Sequence, residues 1–204
     1  IGEEYGHAPG QAHSDYTWII DPIDGTKAFI CGVPFYSVLL ALVRDREPLL
    51  GVIYLPALNE MVYAARGRGC FWNGRPARVS AVSELSEAVL LASDLDTFRR
   101  YDRQAAFDRL IDATWYQRTW GDAYGYALVA TGRAEVMLDP AMALWDCGPL
   151  QVILEEAGGT FTNWQGEPTI YGHEAIATNG VLFETVMGVV KEAGERGSGG
   201  TGGP

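Results

Sequence analysis

Residues 18–26 read Trp-Ile-Ile-Asp-Pro-Ile-Asp-Gly-Thr, a short apolar run that ends in two carboxylates, a proline, a glycine and a threonine. The aromatic and β-branched residues at 18–20 predict a buried β-strand. Because Pro22 has no N–H to donate, we expect it to end the hydrogen-bond ladder of this strand and to hold Asp21 in an extended conformation. Asp21 and Asp24 are therefore predicted to share one tight loop at the end of the strand.

The residues of this loop suit a site for a divalent cation and a phosphate. Two close carboxylates are costly to ionise together unless a cation lies between them. Mg²⁺ prefers oxygen ligands and usually keeps substrate phosphate in its shell. Gly25 lets backbone amides approach a ligand, Thr26 adds a hydroxyl, and amides that open a helix here would face a phosphate oxygen. The alternative interpretation is an ordinary turn, since Asp, Pro and Gly are common turn residues.

Acidic segments stand before and after this loop in the chain. A Gly-Glu-Glu string occupies 2–4, and a Trp-Asp pair at 145–146 leads into a segment that ends Glu-Ala-Gly-Gly at 156–159. Together with the loop, these strings resemble the inositol monophosphatase family of Mg²⁺-dependent phosphomonoesterases. The likeness runs in the family's order from residue 1 to about 179, and an Asp-Pro-Ile-Asp-Gly-Thr string with a later Trp-Asp is a specific signal.

The resemblance implies a site for two to three Mg²⁺ ions. In this sequence Glu3 matches the family's first metal glutamate, Asp21 and Asp24 match its paired aspartates, the Ile23 carbonyl matches its backbone ligand, and Asp146 matches its aspartate after tryptophan. A two-metal clamp suits hydrolysis of a phosphate monoester, because one ion can activate water while the other stabilises the leaving alkoxide. Taken alone, Asp146 is also explained as the N-cap of a helix over 146–157.

Catalytic and phosphate-binding roles are expected in the same region. The resemblance implies catalytic roles for Glu3, Asp24 and Thr26, with the Thr26 hydroxyl helping to orient the attacking water. It also implies that the amides of Gly25 and Thr26 hold the phosphate.

The leaving group is expected to contact Gly121, Asp122, Ala123 and Asp139. The first three open a predicted helix where relatives contact substrate, and Asp139 precedes Asp146 by seven residues, where relatives use an acid to bind a substrate hydroxyl. Both acids can also be explained as helix-start or turn residues. If both line the pocket, they favour a positively charged leaving group, so histidinol, with its ammonium and imidazole, fits better than neutral inositol.

Three strings resemble the histidinol-phosphatase branch of the family: DPIDGTKAFI at 21–30, TWGDAYGYALVATGRAEVMLDP at 119–140 and NWQGEPTI at 163–170. We therefore expect a small phosphorylated metabolite as substrate. Histidinol phosphate, an intermediate of histidine biosynthesis, ranks ahead of inositol monophosphate or another sugar or nucleotide phosphate. A third hypothesis is a non-catalytic phosphatase-like chain, because the helical segment that usually precedes the Glu-Glu pair in the family is missing here.

Composition narrows the class of protein. A net charge of −11 argues against binding to nucleic acid or to an anionic membrane. We find no apolar run long enough to cross a bilayer and no signal-like start. Cys31, Cys70 and Cys147 are widely spaced without a CxxC pair, which indicates neither a disulfide framework nor a zinc site and favours a cytoplasmic protein. His7 and His13 are interpreted as solvated loop histidines.

The order of predicted elements indicates an α+β fold. Short strands over 35–79 at hairpin spacing predict an antiparallel meander, and alternating strands and helices follow, including helices over 97–114 and 182–191. We divide the chain into an antiparallel-sheet half with the metal loop (1–84), an α/β half (85–193) and a flexible Gly-rich tail (194–204). The resemblance implies the layered αβαβα sugar-phosphatase fold without its first helical layer. Relatives often form dimers, so a homodimer is an expectation that no feature of this sequence indicates by itself.

Overall fold

The computed structural model describes residues 1–4 and 14–197. Most of the predicted loop over 6–15, with His7 and His13, lies outside the described residues, as does most of the Gly-rich tail. The last helix of the described chain runs to Gly197, beyond the predicted end at 191.

The first sheet is an antiparallel meander of six strands that pair in chain order. Its strands alternate buried and more exposed side chains, as expected for a sheet with one face on a core. The strands are β1 (Tyr16–Asp24), β2 (Ser37–Arg44), β3 (Glu47–Leu55), β4 (Glu60–Ala65), β5 (Cys70–Trp72) and β6 (Arg75–Ala77).

The second sheet has five strands, β7 (Val89–Ala92), β8 (Tyr116–Arg118), β9 (Val136–Asp139), β10 (Thr160–Thr162) and β11 (Ala175–Thr178). Their spatial order is β10-β11-β9-β7-β8. β7 runs parallel to both β8 and β9, whereas β11 is antiparallel to its neighbours. The strands β7, β9 and β11 are buried along their whole length, because helices pack on both faces of this sheet.

A 3-10 helix (Leu85–Glu87) and seven α-helices complete the described chain: α1 (Thr26–Ile30), α2 (Leu95–Arg100), α3 (Gln104–Ala113), α4 (Ala123–Ala130), α5 (Leu144–Cys147), α6 (Leu150–Glu156) and α7 (Phe183–Gly197). Helices α4 and α6 lie between the two sheets and share one core with both. Helices α2, α3 and α7 cover the other face of the second sheet. The layering of sheet, helices, sheet and helices confirms the α+β architecture that the sequence predicts.

The outer face of the first sheet carries apolar side chains that no helix of the described chain buries. Between 37% and 48% of the surface is exposed for Trp18, Ile20, Val38 and Met61. Their immediate neighbours Ile19, Leu39 and Val62 point to the opposite face and are buried in the core.

Pro22 does not end the first strand, which corrects the prediction made from the sequence. β1 continues to Asp24 through a bulge, because Asp21 pairs with Leu39 while Asp24 pairs with Ser37. The three-residue advance from Asp21 to Asp24 on β1 is therefore matched by a two-residue advance from Leu39 to Ser37 on β2. A bulge leaves one residue outside the ladder, so the missing N–H of Pro22 is tolerated.

Two predicted helices are each divided in the structure. The helix expected over 97–114 is α2 and α3, separated at Asp102, whose φ of +56° is incompatible with a continuous right-handed helix. The helix expected over 146–157 is α5 and α6, because Pro149 lacks the N–H that would bond to the carbonyl four residues earlier.

Within the described ranges, no helix combines the length and the apolar character that a membrane span requires.

Candidate active site

Three aspartates from two distant parts of the chain meet at the end of β1. Asp21 and Asp24 lie on the bulge, and Asp146 lies on α5. One carboxylate oxygen of each residue lies within 4.8 Å of the others. Asp21 and Asp24 are only 2% and 7% exposed, so these two carboxylates are shielded from bulk water, whereas Asp146 is partly exposed.

Helix α5 reaches this position because the chain after it passes very close to the first sheet. A Cβ added to Gly148 would lie 3.3 Å from the Cβ of Ala41 and 3.4 Å from Cγ2 of Ile19. Asp146 is not the N-cap of a helix over 146–157, which corrects the alternative interpretation. Its Oδ2 instead accepts a hydrogen bond from the Ala143 N–H at 2.8 Å and closes the first turn of α5.

Protein donors reach only one oxygen of each of these carboxylates within the described chain. Asp24 Oδ2 accepts from Ser37 Oγ at 2.7 Å and from the Ala123 N–H at 3.0 Å. Asp21 Oδ1 accepts from the Ile23 N–H at 3.0 Å. These bonds fix the side chains while the second oxygen of each remains available to a cation.

The electrostatics of the cluster also favour a cation. Burial raises the pKa of Asp21 to about 6, in spite of the Ile23 hydrogen bond, and burial raises the pKa of Asp24 well above its ordinary range. Burial likewise raises the pKa of Asp146. Carboxyl groups that resist ionisation in this way are stabilised as anions when a divalent cation lies among them. The all-oxygen donor set is the kind that a hard ion such as Mg²⁺ binds.

Glu3 lies beside the cluster but is not one of its three members. A short parallel bridge between Gly2 and Ile20 holds the start of the chain along β1. Partial desolvation raises the pKa of the Glu3 carboxyl, and the nearby Asp21 raises it further. The Ile23 carbonyl accepts a hydrogen bond from Thr26 Oγ1 at 3.1 Å, so Thr26 fixes the backbone between the two aspartates.

A cavity of about 240 Å³ opens beside the three aspartates. Five aspartates and one lysine contribute charged groups to its lining: Asp24, Asp94, Asp122, Asp139, Asp146 and Lys27. The cavity therefore joins the carboxylate cluster to the residues that the sequence predicts for the leaving group, except that Gly121 is not among its lining residues.

The segment from Gly121 to Ala123 packs tightly on the end of β7. A Cβ added to Gly121 would overlap the backbone of Ser93, so only glycine fits there. The Asp122 N–H donates to Ser93 Oγ at 2.8 Å. Asp122 itself has φ +52° and ψ −156°, an unfavourable conformation for a residue with a side chain, and such strain is concentrated at functional sites.

Asp139 lies at the end of β9 and is 5% exposed. Tyr126 donates its hydroxyl to Asp139 Oδ2 at 2.8 Å. Burial nevertheless raises the pKa of Asp139 to about 7. This acid can therefore change its charge near neutral pH, unlike an ordinary aspartate.

The cavity is also lined by Lys27, Ser93 and Asp94, which the sequence did not indicate as site residues. Ser93 and Asp94 directly follow β7, and Asp139 ends the neighbouring parallel strand β9. The carboxyl ends of parallel strands meet at one sheet edge, where ligands commonly bind. Recognising that two predicted strands were parallel neighbours would have identified Ser93 and Asp94.

The chain is similar to known proteins both in sequence and in overall fold. The model of the inositol monophosphatase family matches residues 1–195. A histidinol-phosphatase of Mycobacterium tuberculosis is 40% identical over 192 residues, which cover 92% of this chain and 73% of the relative. A histidinol-phosphatase of Chlorobaculum parvum is 39% identical over 96% of this chain and 75% of its own length. The solved inositol monophosphatase of Anabaena (Nostoc) superimposes with a TM-score of 0.85 at 32% identity, covering 94% of this chain and 77% of that one.

Proposed function

Because the chain belongs to the inositol monophosphatase family, we propose that it is a metal-dependent phosphomonoesterase that hydrolyses histidinol phosphate to histidinol and phosphate. The observation that carries this proposal is the convergence of Asp21, Asp24 and Asp146 beside an acid-lined cavity. Histidinol-phosphatases among the relatives support the choice of substrate.

The ligands of the proposed metal site are the three clustered aspartates, the Glu3 carboxylate and the Ile23 carbonyl. We propose Mg²⁺ as the ion, in two or three copies, because every one of these donors is an oxygen. When bound, Mg²⁺ would supply Lewis-acid stabilisation of the phosphate and would lower the pKa of the attacking water.

The residues of the loop would position the reactants. Thr26 would orient the attacking water through its hydroxyl, which already bonds to the Ile23 carbonyl at 3.1 Å. The amides of Gly25 and Thr26 would hold the phosphate, and the φ of +74° at Gly25 turns the backbone sharply there. Glu3 and Asp24 complete the catalytic set, Glu3 from the strand bridge and Asp24 from the bulge.

The leaving group would lie against Gly121, Asp122, Ala123 and Asp139. Asp122 and Asp139 give this side of the cavity a negative charge at pH values where both ionise. An alcohol that carries an ammonium group, such as histidinol, is complementary to that charge. Inositol monophosphate is the second candidate, because a buried Asp139 with a pKa of about 7 can also hydrogen-bond a neutral hydroxyl.

Phosphate release from a substrate panel tests the proposal. We expect purified protein with Mg²⁺ to hydrolyse histidinol phosphate with a higher kcat/KM than inositol 1-phosphate, and chelator to abolish both activities. A preference for inositol 1-phosphate would select the second candidate. Activity that persists in chelator would reject the metal mechanism, and no activity on any phosphate monoester would support the non-catalytic hypothesis. A homodimer and a cytoplasmic location stay predictions.

A further inference from the structure

A lysine and an aspartate form an ion pair among the residues that line the cavity. Lys27 Nζ lies 3.2 Å from Asp94 Oδ2, and their side chains are 88% and 47% exposed. Lys27 belongs to α1, directly after the loop with the clustered aspartates, whereas Asp94 follows β7 in the second sheet. The pair therefore bridges the phosphate side and the leaving-group side of the cavity.

Among the lining residues that the structure describes, Lys27 is the single cationic side chain beside five aspartates. Its charge also acts on a second acid of the leaving-group side, because Lys27 lowers the pKa of Asp122 against the larger, opposite effect of burial. The lysine ammonium is thus paired with Asp94 and also lowers the pKa of Asp122 through its charge.

Asp94 does not need Lys27 to hold its position. Its other oxygen, Oδ1, accepts the Asp96 N–H at 3.1 Å and caps α2. Exposed ion pairs such as this one contribute little to stability. A ligand can therefore displace Lys27 from Asp94 at small cost while Asp94 stays in place.

We propose that Lys27 is a specificity-determining residue, whose ammonium group competes with a cationic leaving group for Asp94 and Asp122 in the cavity. This inference rests on the proposed function. A substrate with an ammonium group replaces the lysine ammonium at these acids, whereas a neutral alcohol leaves the ion pair closed. Lys27 therefore limits how strongly the acidic lining binds cations that carry no phosphate.

The variant Lys27→Met tests this competition, because methionine keeps an apolar stem and removes the charge. We expect kcat/KM for histidinol phosphate, relative to inositol 1-phosphate, to rise about three- to fivefold, mostly through KM. Asp94→Asn, which keeps a capping oxygen for α2, should lower the same ratio by a similar factor. When Asp94→Asn is already present, Lys27→Met should change the ratio of the two kcat/KM values by no more than half as much as it does in the wild type.

Arg109→Met is the matched control, because it also removes one positive charge but from a pair with Glu192 at 3.8 Å on α3 and α7. We expect this variant to keep the wild-type ratio. A fall in kcat for both substrates in Lys27→Met, or an equal rise in both KM values, would overturn the proposal and assign Lys27 to the phosphate.

Calorimetric binding of free histidinol, with myo-inositol as the neutral probe, separates this inference from the proposed function. Tighter binding of histidinol to Lys27→Met than to the wild type supports the competition even if histidinol phosphate is a poor substrate. Equal binding to both proteins overturns it, even if histidinol phosphate is the preferred substrate.

Discussion

Asp24 connects the two halves of the molecule through a single carboxylate. Ser37 on β2 and the Ala123 N–H at the start of α4 both donate to its Oδ2. Asp24→Asn keeps the shape and one acceptor oxygen but removes a charge from the proposed metal site. We expect kcat to fall by several orders of magnitude at saturating Mg²⁺, because a ligand and part of the charge balance are lost.

Steady-state kinetics with histidinol phosphate would measure this loss, and circular dichroism would verify that the variant is folded. Ser37→Ala serves as the control, since it removes one hydrogen bond to Asp24 without removing the charge, and it should cost far less. A decrease of only about threefold in Asp24→Asn would contradict the assigned role.

Asp139 is expected to make the free energy of unfolding depend on pH. The folded-state pKa of about 7 lies above the unfolded value of about 3.9, so the folded protein holds an extra proton between these limits. Its contribution to stability is fully present below about pH 4 and is lost as the pH rises through 7. In chelator, the free energy of unfolding should therefore fall, from this group alone, by on the order of 2–4 kcal/mol between pH 4 and 8.

Urea denaturation of wild type and Asp139→Asn over this pH range isolates the effect, because asparagine does not titrate. We expect the unfolding free energy of the wild type, relative to that of Asp139→Asn, to fall as the pH rises from 4 to 8. Asp45→Asn is the matched control, as the Asp45 side chain is 76% exposed. Parallel profiles for wild type and Asp139→Asn would show that Asp139 titrates normally.

At the scale of elements, one glycine determines how closely α6 packs on the first sheet. A Cβ added to Gly51 on β3 would overlap the Pro149 carbonyl oxygen and lie 2.9 Å from Cγ1 of Val152. Gly51→Ala should destabilise the fold by roughly 3 kcal/mol or more, because the backbone of α6 must move. Thermal denaturation of the variant and the wild type would measure this loss of stability.

Gly67→Ala provides the comparison, since its added Cβ meets nothing within 4 Å and only its φ of +72° opposes the change. We expect a loss of about 1 kcal/mol there. Equal losses at the two positions would refute the packing argument.

The sequence predicts the type and order of most elements but not where they break. The meander is correct because hairpin turns such as Asn73-Gly74 are local signals. The bulge at Pro22 depends on its pairing with β2, which no local pattern encodes. The break at Asp102 is similar, since the apolar periodicity continues across it while the backbone turns.

At the scale of the whole molecule, cation binding should govern stability. The three clustered carboxylates have raised pKa values, so an added ion relieves both desolvation and mutual repulsion. We expect Mg²⁺ at about a hundred times its Kd to raise Tm by about 5–10 °C.

Differential scanning fluorimetry with Mg²⁺, and with NaCl at equal ionic strength, would measure this shift. Asp24→Asn should lose most of the response to Mg²⁺. A similar rise in NaCl would indicate general screening of the net charge of −11 rather than a site.

The site was predictable as a set of residues rather than as an arrangement. The resemblance to a family identified Asp146 and Asp139, which lie more than a hundred residues after the loop. The spacing of these residues alone could not have identified them, because the contact of α5 with β1 depends on Gly148 and on the whole intervening fold. No local sequence pattern indicated Lys27 as a cavity residue, because its partner Asp94 is 67 residues away.

Two of the clustered aspartates and two of the acids proposed for the leaving group are attached to different sheets of the protein. Asp21 and Asp24 belong to β1 of the first sheet, whereas Asp139 ends β9 and Asp94 comes shortly after β7 in the second. With the proposed roles, hydrolysis and substrate choice can evolve separately. Exchange of residues at the strand ends of the second sheet could admit a new alcohol while the proposed metal site on the first sheet stays unchanged. Directed evolution that randomises only the residues at the strand ends of the second sheet would use the same separation.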